Sequence, residues 1–200
     1  MRKTTLTVVI LCALTTAIYG DQLGVQEQRW GLARTQSAKV HFVEATAATI
    51  RRNQSRYEVV EKATGVPWQI VGAIHTMECG GNFRLGLYCG DPLTARTKHV
   101  PKGRPVTGNP PFDWAFCAID AIRLDKLDRE PWARIGNVLQ NVEAYNGTGY
   151  QKFHPEVPTP YLWSFTTIYV RGKYIEDGRW SSTAISQQCG VAPILRNLLK

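Results

Sequence analysis

The amino-acid sequence predicts a mainly α-helical protein with one small β-hairpin, and three observations lead to this fold class. Apolar residues recur at helical rather than alternating spacing over residues 36–63. Helix-boundary residues stand at suitable places: Pro67 fits a first turn, Asp113 fits an N-cap, and the Gly80–Gly81 pair fits a helix end. Residues 87–100 mix Tyr, Thr and Val with turn residues, which is typical of a hairpin.

The predicted elements follow one another without an internal repeat. In chain order they are a helix over 36–63, a helix from about Pro67 to Gly80, a hairpin over 87–100, a long Pro/Gly-rich loop over Pro101–Pro111, helices from Asp113 to about Leu127 and from Pro131 to about Tyr145, and helical segments over Tyr161–Val170 and Ser182–Leu199 that the RGKYIEDGRW loop separates.

The first residues have the layout of a secretory signal. Arg2 and Lys3 are followed by an apolar stretch over 6–19, after which the sequence turns polar. A membrane-spanning helix needs about 20 apolar residues, and this stretch is shorter. We therefore expect residues 1–20 to be a cleaved signal peptide, with an uncleaved N-terminal anchor as the alternative, and the protein to be exported to the periplasm or the extracellular space.

Residues 21–200 are expected to form one domain, because this length is sufficient for one hydrophobic core. The whole chain carries a formal net charge of +8, and loss of Arg2 and Lys3 would leave +6. A basic protein is attracted to polyanions. For an exported protein these are the acidic polymers of a bacterial envelope, and nucleic acid is not expected as a partner.

Four cysteines remain outside the N-terminal segment, at Cys79, Cys89, Cys117 and Cys189. An even number in an oxidising compartment predicts two disulfides, and Cys79 with Cys89 and Cys117 with Cys189 is the preferred pairing among the three possible ones. Metal binding is less favoured, because no C-x-x-C pair occurs and the histidines are scattered. We expect no metal and no cofactor.

Glu78 is the residue with the strongest catalytic potential. It follows Ile74 by four residues and therefore lies at the edge of the apolar stripe formed by Ile70, Ile74 and Met77. A carboxyl at such a boundary has a raised pKa and can donate a proton near neutral pH. The alternative is a structural glutamate at a helix end, paired with His75.

Two segments carry a resemblance to a known family. The run from Ile74 to Phe83, IHTMECGGNF, resembles the catalytic helix end of lytic transglycosylases and goose-type lysozymes. About 65 residues further along, AYNGTGY resembles the Ala-Tyr-Asn-Ala/Gly segment of the same enzymes. Similarity to phage-type and bacterial lysozyme-like proteins extends through GDPLTARTKHVPKGRP and YLWSFTTIYVRGKYIEDG, so it covers roughly residues 60 to 192.

The resemblance implies a lysozyme-like α+β domain and assigns roles to five residues. Glu78 would be the general acid, while Tyr145 and Asn146 would contact the substrate. Asp91 and Thr97 keep the six-residue interval of an Asp and a Thr in phage lysozymes, which makes Asp91 a second catalytic candidate and Thr97 a substrate contact. Asp91 is equally well explained as a turn residue before Pro92, and Asn146 as a residue of a helix C-terminus.

The predicted function is cleavage of peptidoglycan glycan strands between N-acetylmuramic acid and N-acetylglucosamine, by a muramidase or a lytic transglycosylase acting as a monomer. A chitinase-like hydrolase and a non-catalytic wall-binding protein are the alternatives. Aromatic faces are natural platforms for sugar rings, so Trp163, Tyr169 and Tyr174 are the groove candidates among the aromatic residues. The amide side chains of Gln187 and Gln188 are further candidates.

Overall fold

Nine α-helices, two short 3-10 helices (Ser37–Lys39 and Leu127–Arg129) and one two-stranded hairpin make up the regular secondary structure of residues 22–200, the part of the chain that this computed structural model describes. The predicted signal segment lies outside these residues. The helices are α1 (22–32), α2 (Val40–Arg52), α3 (Gln54–Thr64), α4 (Trp68–Cys79), α5 (Trp114–Leu124), α6 (Ile135–Asn146), α7 (Gly149–Phe153), α8 (Pro160–Trp163) and α9 (Val191–Leu198), and the strands are β1 (Lys173–Glu176) and β2 (Arg179–Ser181). The fold class is therefore mainly helical with a small β-hairpin, as predicted.

The segment predicted as one helix over 36–63 is helical, but it forms two helices, α2 and α3, instead of one. Most of its apolar positions are buried along α2 and α3, as the spacing predicts, but Val40 at the start of α2 is exposed. The chain breaks at Asn53, whose backbone leaves the helical region at φ −106° and ψ 12°. The Asn53 side chain donates a hydrogen bond to the Thr49 carbonyl at 2.9 Å, and such local bonding competes with helix continuation.

Helix α4 begins and ends where the boundary residues predict. Pro67 stands immediately before the first helical residue, and Gly80 takes a left-handed conformation at φ 59° directly after the last. The backbone N–H groups of Gly80 and Gly81 then bond the carbonyls of Thr76 and His75, which closes the final turn. This turn carries Glu78.

Helices α5 and α6 also match their predicted starts and ends closely. The Asp113 carboxylate caps α5 by accepting from the Phe116 N–H at 3.0 Å. Helix α5 ends at Leu124, slightly earlier than predicted, and Asp125 forms its C-cap. Helix α6 begins at Ile135, a few residues after the predicted opening at Pro131.

The position of the predicted hairpin was wrong. The strands pair Lys173 with Ser181 and Tyr174 with Trp180, inside the segment that the sequence marked as a loop. Among the described residues, segment 87–100 contributes only an isolated bridge between Leu85 and Pro92. Backbone N–H groups near its end bond the carboxylate of Asp91 instead of a neighbouring strand.

The two predicted C-terminal helical segments are much shorter than expected. Only Pro160–Trp163 and Val191–Leu198 are helical, and the chain between them holds the hairpin and irregular loops. Helix α9 buries Val191, Ile194 and Leu195 completely or nearly so against the core. None of the helices within residues 22–200 is both long and apolar enough to cross a membrane.

Helix α4 lies in the middle of the helical core, where it packs against α3 and α9. Helix α9 packs in turn against α8, the short helix that carries Tyr161. The close approach of α8 and α9 depends on Gly190, because a Cβ at this position would lie 2.4 Å from the Leu162 carbonyl oxygen. Only a glycine fits against backbone at that distance.

We expect Gly190→Ala to lower the free energy of unfolding by about 1–3 kcal/mol, since backbone atoms at α8 must move to admit the methyl group. Gly31→Ala is the matched control, because nothing lies within 4 Å of the added Cβ and its backbone is helical. Urea titration of both variants measures the effect. Equal stability of the two variants would contradict the tight packing at Gly190.

Candidate functional site

Glu78 lies in the last turn of α4 and faces a cavity of about 260 Å³. The residues around this cavity come from α4, α6, the C-cap of α5 and the loop between α4 and α5. They are Glu78, Tyr88, Pro101, Asp125, Tyr145 and Asn146. We refer to this cavity as the acid cavity. The fold therefore brings together Glu78, Tyr145 and Asn146, as the sequence predicted.

A larger groove of about 590 Å³ adjoins the acid cavity. Asn146 lines both, and Met77, the neighbour of Glu78, lines the groove. The hairpin supplies one wall through β1 and its turn, and α7 and α8 supply further contacts. A groove of this volume is in the range of small-molecule and oligomer binding sites.

The Glu78 carboxylate accepts a hydrogen bond from a tyrosine that the sequence analysis did not single out. The hydroxyl of Tyr161, at the start of α8, donates to Glu78 Oε1 at 2.7 Å. The hydroxyl of Tyr145, the predicted substrate contact, donates to the Leu87 carbonyl at 3.0 Å and not to Glu78. The hydroxyl that contacts the acid belongs to Tyr161, and Tyr145 forms a wall of the acid cavity.

Burial raises the pKa of Glu78 above its ordinary value. The Tyr161 hydrogen bond acts in the opposite direction, because it stabilises the ionised carboxylate, and the negative charge of Asp125 raises the pKa further. Burial has the largest effect, so the site favours the protonated form of Glu78 more than water does. This agrees with the prediction from its place at the apolar boundary of α4.

Asp125 is a second carboxylate at the acid cavity that the sequence analysis missed. It follows the last residue of α5 as the C-cap, and desolvation raises its own pKa. Asp125 is 47 positions away from Glu78, and its only local signal is a helix end. No pattern in the sequence indicates that this helix end meets α4, so only the packing of the helices brings the two carboxylates to one cavity.

Asp91 and Thr97 are not among the lining residues of the acid cavity or the groove. The Asp91 carboxylate accepts the backbone N–H groups of Lys98 and His99 and contacts the His99 ring. These hydrogen bonds hold the pKa of Asp91 well below its usual range, so it stays ionised. The Thr97 hydroxyl bonds the Pro101 carbonyl and accepts the Arg104 N–H at 2.9 Å. Both side chains organise the loop after α4.

The proposed structural pair of Glu78 and His75 does not form. His75 is fully buried, and its Nδ1 lies 3.0 Å from the Tyr57 hydroxyl. Its ring packs against Phe83 and Trp114, each with a centroid distance of 4.6 Å. Burial lowers the pKa of His75 to about 4, so the ring is neutral at pH 7. Glu78 is therefore not held by a cationic partner on its own helix.

All four cysteines within residues 22–200 are free thiols in this structure, in contrast to the predicted pairing. The Cys79 thiol donates to the Gly86 carbonyl at 3.4 Å, which ties the end of α4 to the following loop without a covalent bond. Burial raises the pKa of Cys79 to about 12 and that of Cys117 to about 11, so both stay protonated at pH 7. Pairing of Cys79 with Cys89 and of Cys117 with Cys189 stays a prediction for the oxidised protein.

The aromatic residues expected in the groove are divided between the groove and the core. Trp163 is completely buried and Tyr169 nearly so, so their assignment to the groove was wrong. Tyr174 on β1 lines the groove, as predicted. Gln188 also lines it and donates a hydrogen bond from Nε2 to the Met77 carbonyl at 2.7 Å.

Comparisons of this chain with protein-family models, with curated proteins and with solved structures found no significant match. The resemblance to lytic transglycosylases and lysozymes therefore stays a prediction from the sequence segments around Glu78 and Tyr145.

We expect Tyr161→Phe to raise the pKa of Glu78, because the variant loses the hydrogen bond that stabilises the ionised carboxylate. The carboxyl ¹³C shift of Glu78, followed by NMR over a pH titration, measures this directly. Tyr169→Phe is the matched control, since its buried hydroxyl bonds the Gly172 carbonyl and is not at Glu78. A Tyr161→Phe titration curve identical to that of the wild type would contradict the assigned contact.

Proposed function

We propose that this protein cleaves the glycan strands of peptidoglycan, between N-acetylmuramic acid and N-acetylglucosamine, with Glu78 as the general acid. One observation carries the proposal: a half-buried carboxylic acid with a raised pKa lines a small cavity, and Asn146 joins this cavity to a larger groove. A proton donor is needed to break a glycosidic bond, because the leaving sugar oxygen must be protonated. Pure binding of a glycan requires no such group.

In the proposed first step, protonated Glu78 donates its proton to the glycosidic oxygen. The bond between C1 and that oxygen breaks, the leaving sugar departs as an alcohol, and an oxocarbenium-like centre develops at C1. Glu78 is then ionised, and the Tyr161 hydroxyl stabilises the new charge through its hydrogen bond to Oε1. The same contact that lowers the pKa of the acid thus assists the step in which it loses its proton.

In the proposed second step, Asp125 accepts a proton from a water molecule in the acid cavity as that water attacks C1. The product is then a reducing sugar end, Asp125 releases its proton to solvent, and Glu78 is reprotonated from solvent. If the muramyl 6-hydroxyl attacks C1 instead, the Glu78 carboxylate takes its proton and an anhydro sugar forms, as in the transglycosylases that the sequence resembles. Asp125 favours the route through water, because it supplies a second carboxylate at the same cavity.

Substrate recognition in this proposal combines an amide, an aromatic face and charge. The Asn146 side chain lies at the junction of the acid cavity and the groove, where it can bond the acetamido group of an amino sugar. Tyr174 presents an aromatic ring along the groove. The net positive charge favours the acidic bacterial wall over uncharged chitin. The wall is reached by export, which the N-terminal residues predict.

The central test is the variant Glu78→Gln, which keeps the shape of the side chain and removes the proton donor. We expect the rate of sacculus solubilisation to fall by roughly 10²–10⁴-fold, because this is the contribution of a positioned acid. Binding to sacculi and the melting curve should stay close to those of the wild type. Glu130→Gln, at an exposed position away from both cavities, is the matched control.

A folded Glu78→Gln protein with near wild-type activity would exclude this mechanism. Mass analysis of the products separates reducing from anhydro ends, and parallel digestion of chitin tests the chitinase alternative. A wild-type protein that retains sacculi without releasing fragments would instead indicate a wall-binding protein.

We expect Asp125→Asn to lower the hydrolytic rate more than Asp91→Asn does, because only Asp125 lines the acid cavity. Removing the Asp125 charge should also lower the pKa of Glu78, since that charge raises it in the wild type. The acid must be protonated to act, so activity falls as the pH rises through the pKa of Glu78. In Asp125→Asn this fall should occur at a lower pH than in the wild type. Rates of sacculus solubilisation over a pH series measure both effects. If Asp91→Asn lowers the rate more than Asp125→Asn does, with an unchanged melting curve, Asp91 and not Asp125 would be the second catalytic carboxylate.

A further inference from the structure

A cluster of three metal-ligating side chains lies in the loop after α4, outside the acid cavity and the groove. It consists of Cys89, Asp91 and His99, whose sulfur, carboxylate oxygen and ring nitrogen all lie within 4.8 Å of one another. The scattered histidines of the sequence gave no sign of this cluster, because the loop must fold back to join position 99 to position 89. We propose that this cluster binds a divalent transition-metal ion of the zinc class.

The Asp91 carboxylate is already oriented for a ligand. Its Oδ2 accepts the backbone N–H groups of Lys98 at 2.7 Å and of His99 at 3.0 Å. Its Oδ1 is directed to the His99 ring, with Nδ1 at 2.6 Å. Carboxylates that bind metals are commonly fixed by such hydrogen bonds to the outer oxygen, which leave the other oxygen for the ion.

The three donor atoms lie within 4.8 Å of one another and must adjust their positions to hold a small tetrahedral ion. Zinc bonds of about 2.0–2.3 Å place neighbouring ligand atoms roughly 3.3–3.7 Å apart. Oδ1 of Asp91 and Nδ1 of His99 must therefore separate by somewhat less than about 1 Å. The His99 side chain is 77% exposed, so its ring can shift without disturbing the core. The fourth position would face solvent and hold a water molecule.

The chemistry of the donors selects the class of ion. A thiolate and an imidazole are preferred by zinc and similar transition metals, whereas magnesium and calcium require oxygen ligands. Metal binding needs Cys89 as a free thiol, so it excludes the predicted disulfide with Cys79. In the structure both are thiols, and Cys79 bonds the Gly86 carbonyl instead.

The loop after α4, which carries the proposed metal site, borders the helix that carries Glu78. A Cβ added to Gly90 would lie 3.9 Å from the backbone carbonyl oxygen of Glu78, and Tyr88 and Pro101 from the same loop line the acid cavity. A bound ion would therefore brace one wall of that cavity. The proposal of the metal site itself does not rest on the glycan-cleaving function.

Cobalt titration of the reduced, chelator-treated full chain tests the site. We expect a near-ultraviolet absorption band from the thiolate–cobalt bond, which zinc then removes by displacement. Cys89→Ser should lose the band, and His99→Gln should weaken cobalt binding by at least about tenfold. Cys117→Ser, buried in α5, and His41→Gln, exposed on α2, are the matched controls and should bind cobalt as the wild type does.

Zinc should also raise the melting temperature of the wild type, because it binds the folded state, and this rise should be lost in His99→Gln. The exposed position of His99 makes this variant decisive even if Cys89→Ser does not fold. The proposal is overturned if no thiolate–cobalt band forms in reduced protein, or if His99→Gln binds cobalt with wild-type affinity. Peptide mapping that finds Cys89 linked to Cys79 even after reductant treatment would also overturn it.

Discussion

Burial of helix α4 on most of its surface is the constraint on which the rest of the site depends. Ile70, Val71 and Ile74 are almost or completely inaccessible, and His75 is enclosed by aromatic rings. The middle of the helix is enclosed and its two end turns are partly exposed; at the second of these the left-handed Gly80 ends the helix. A carboxyl at this turn lies at the edge of the core and is only partly hydrated. The raised pKa of Glu78 is thus a consequence of how the helix ends as much as of the residue itself.

The acidic residues near this turn occupy very different environments. Glu78 loses hydration and has one hydroxyl donor, so its protonated form is favoured. Asp91 has two backbone N–H donors and a histidine ring, so it remains ionised. Asp125 stands at the end of α5 and acts on Glu78 through its charge. Environments that separate carboxyl pKa values in this way are typical of sites that pair an acid with a base.

The C-terminal part of the chain builds the groove through aromatic packing. The rings of His154 and Trp180 stack in parallel with centroids 3.6 Å apart, and Tyr150 and Tyr174 pack around them edge to face. A two-stranded hairpin is only marginally stable alone. This cluster anchors β1 and β2 to α7 and thereby holds Tyr174 at the groove. Helices and hairpin thus form the groove, and helices and loop form the adjoining acid cavity that contains Glu78.

The sequence by itself determined the features that depend on neighbours along the chain. The Asp113 cap, the glycine end of α4 and the apolar boundary position of Glu78 all follow from helix geometry over a few residues. The contact between Tyr161 and Glu78 spans 83 positions, and the approach of Asp125 depends on how α5 packs. The hairpin was misplaced because strand pairing is decided by a partner and by a surface to pack on, and local composition reports neither. Local hydrogen bonding and periodicity place the acid, whereas only the packing of distant segments gives it a hydroxyl, a second carboxylate and a groove.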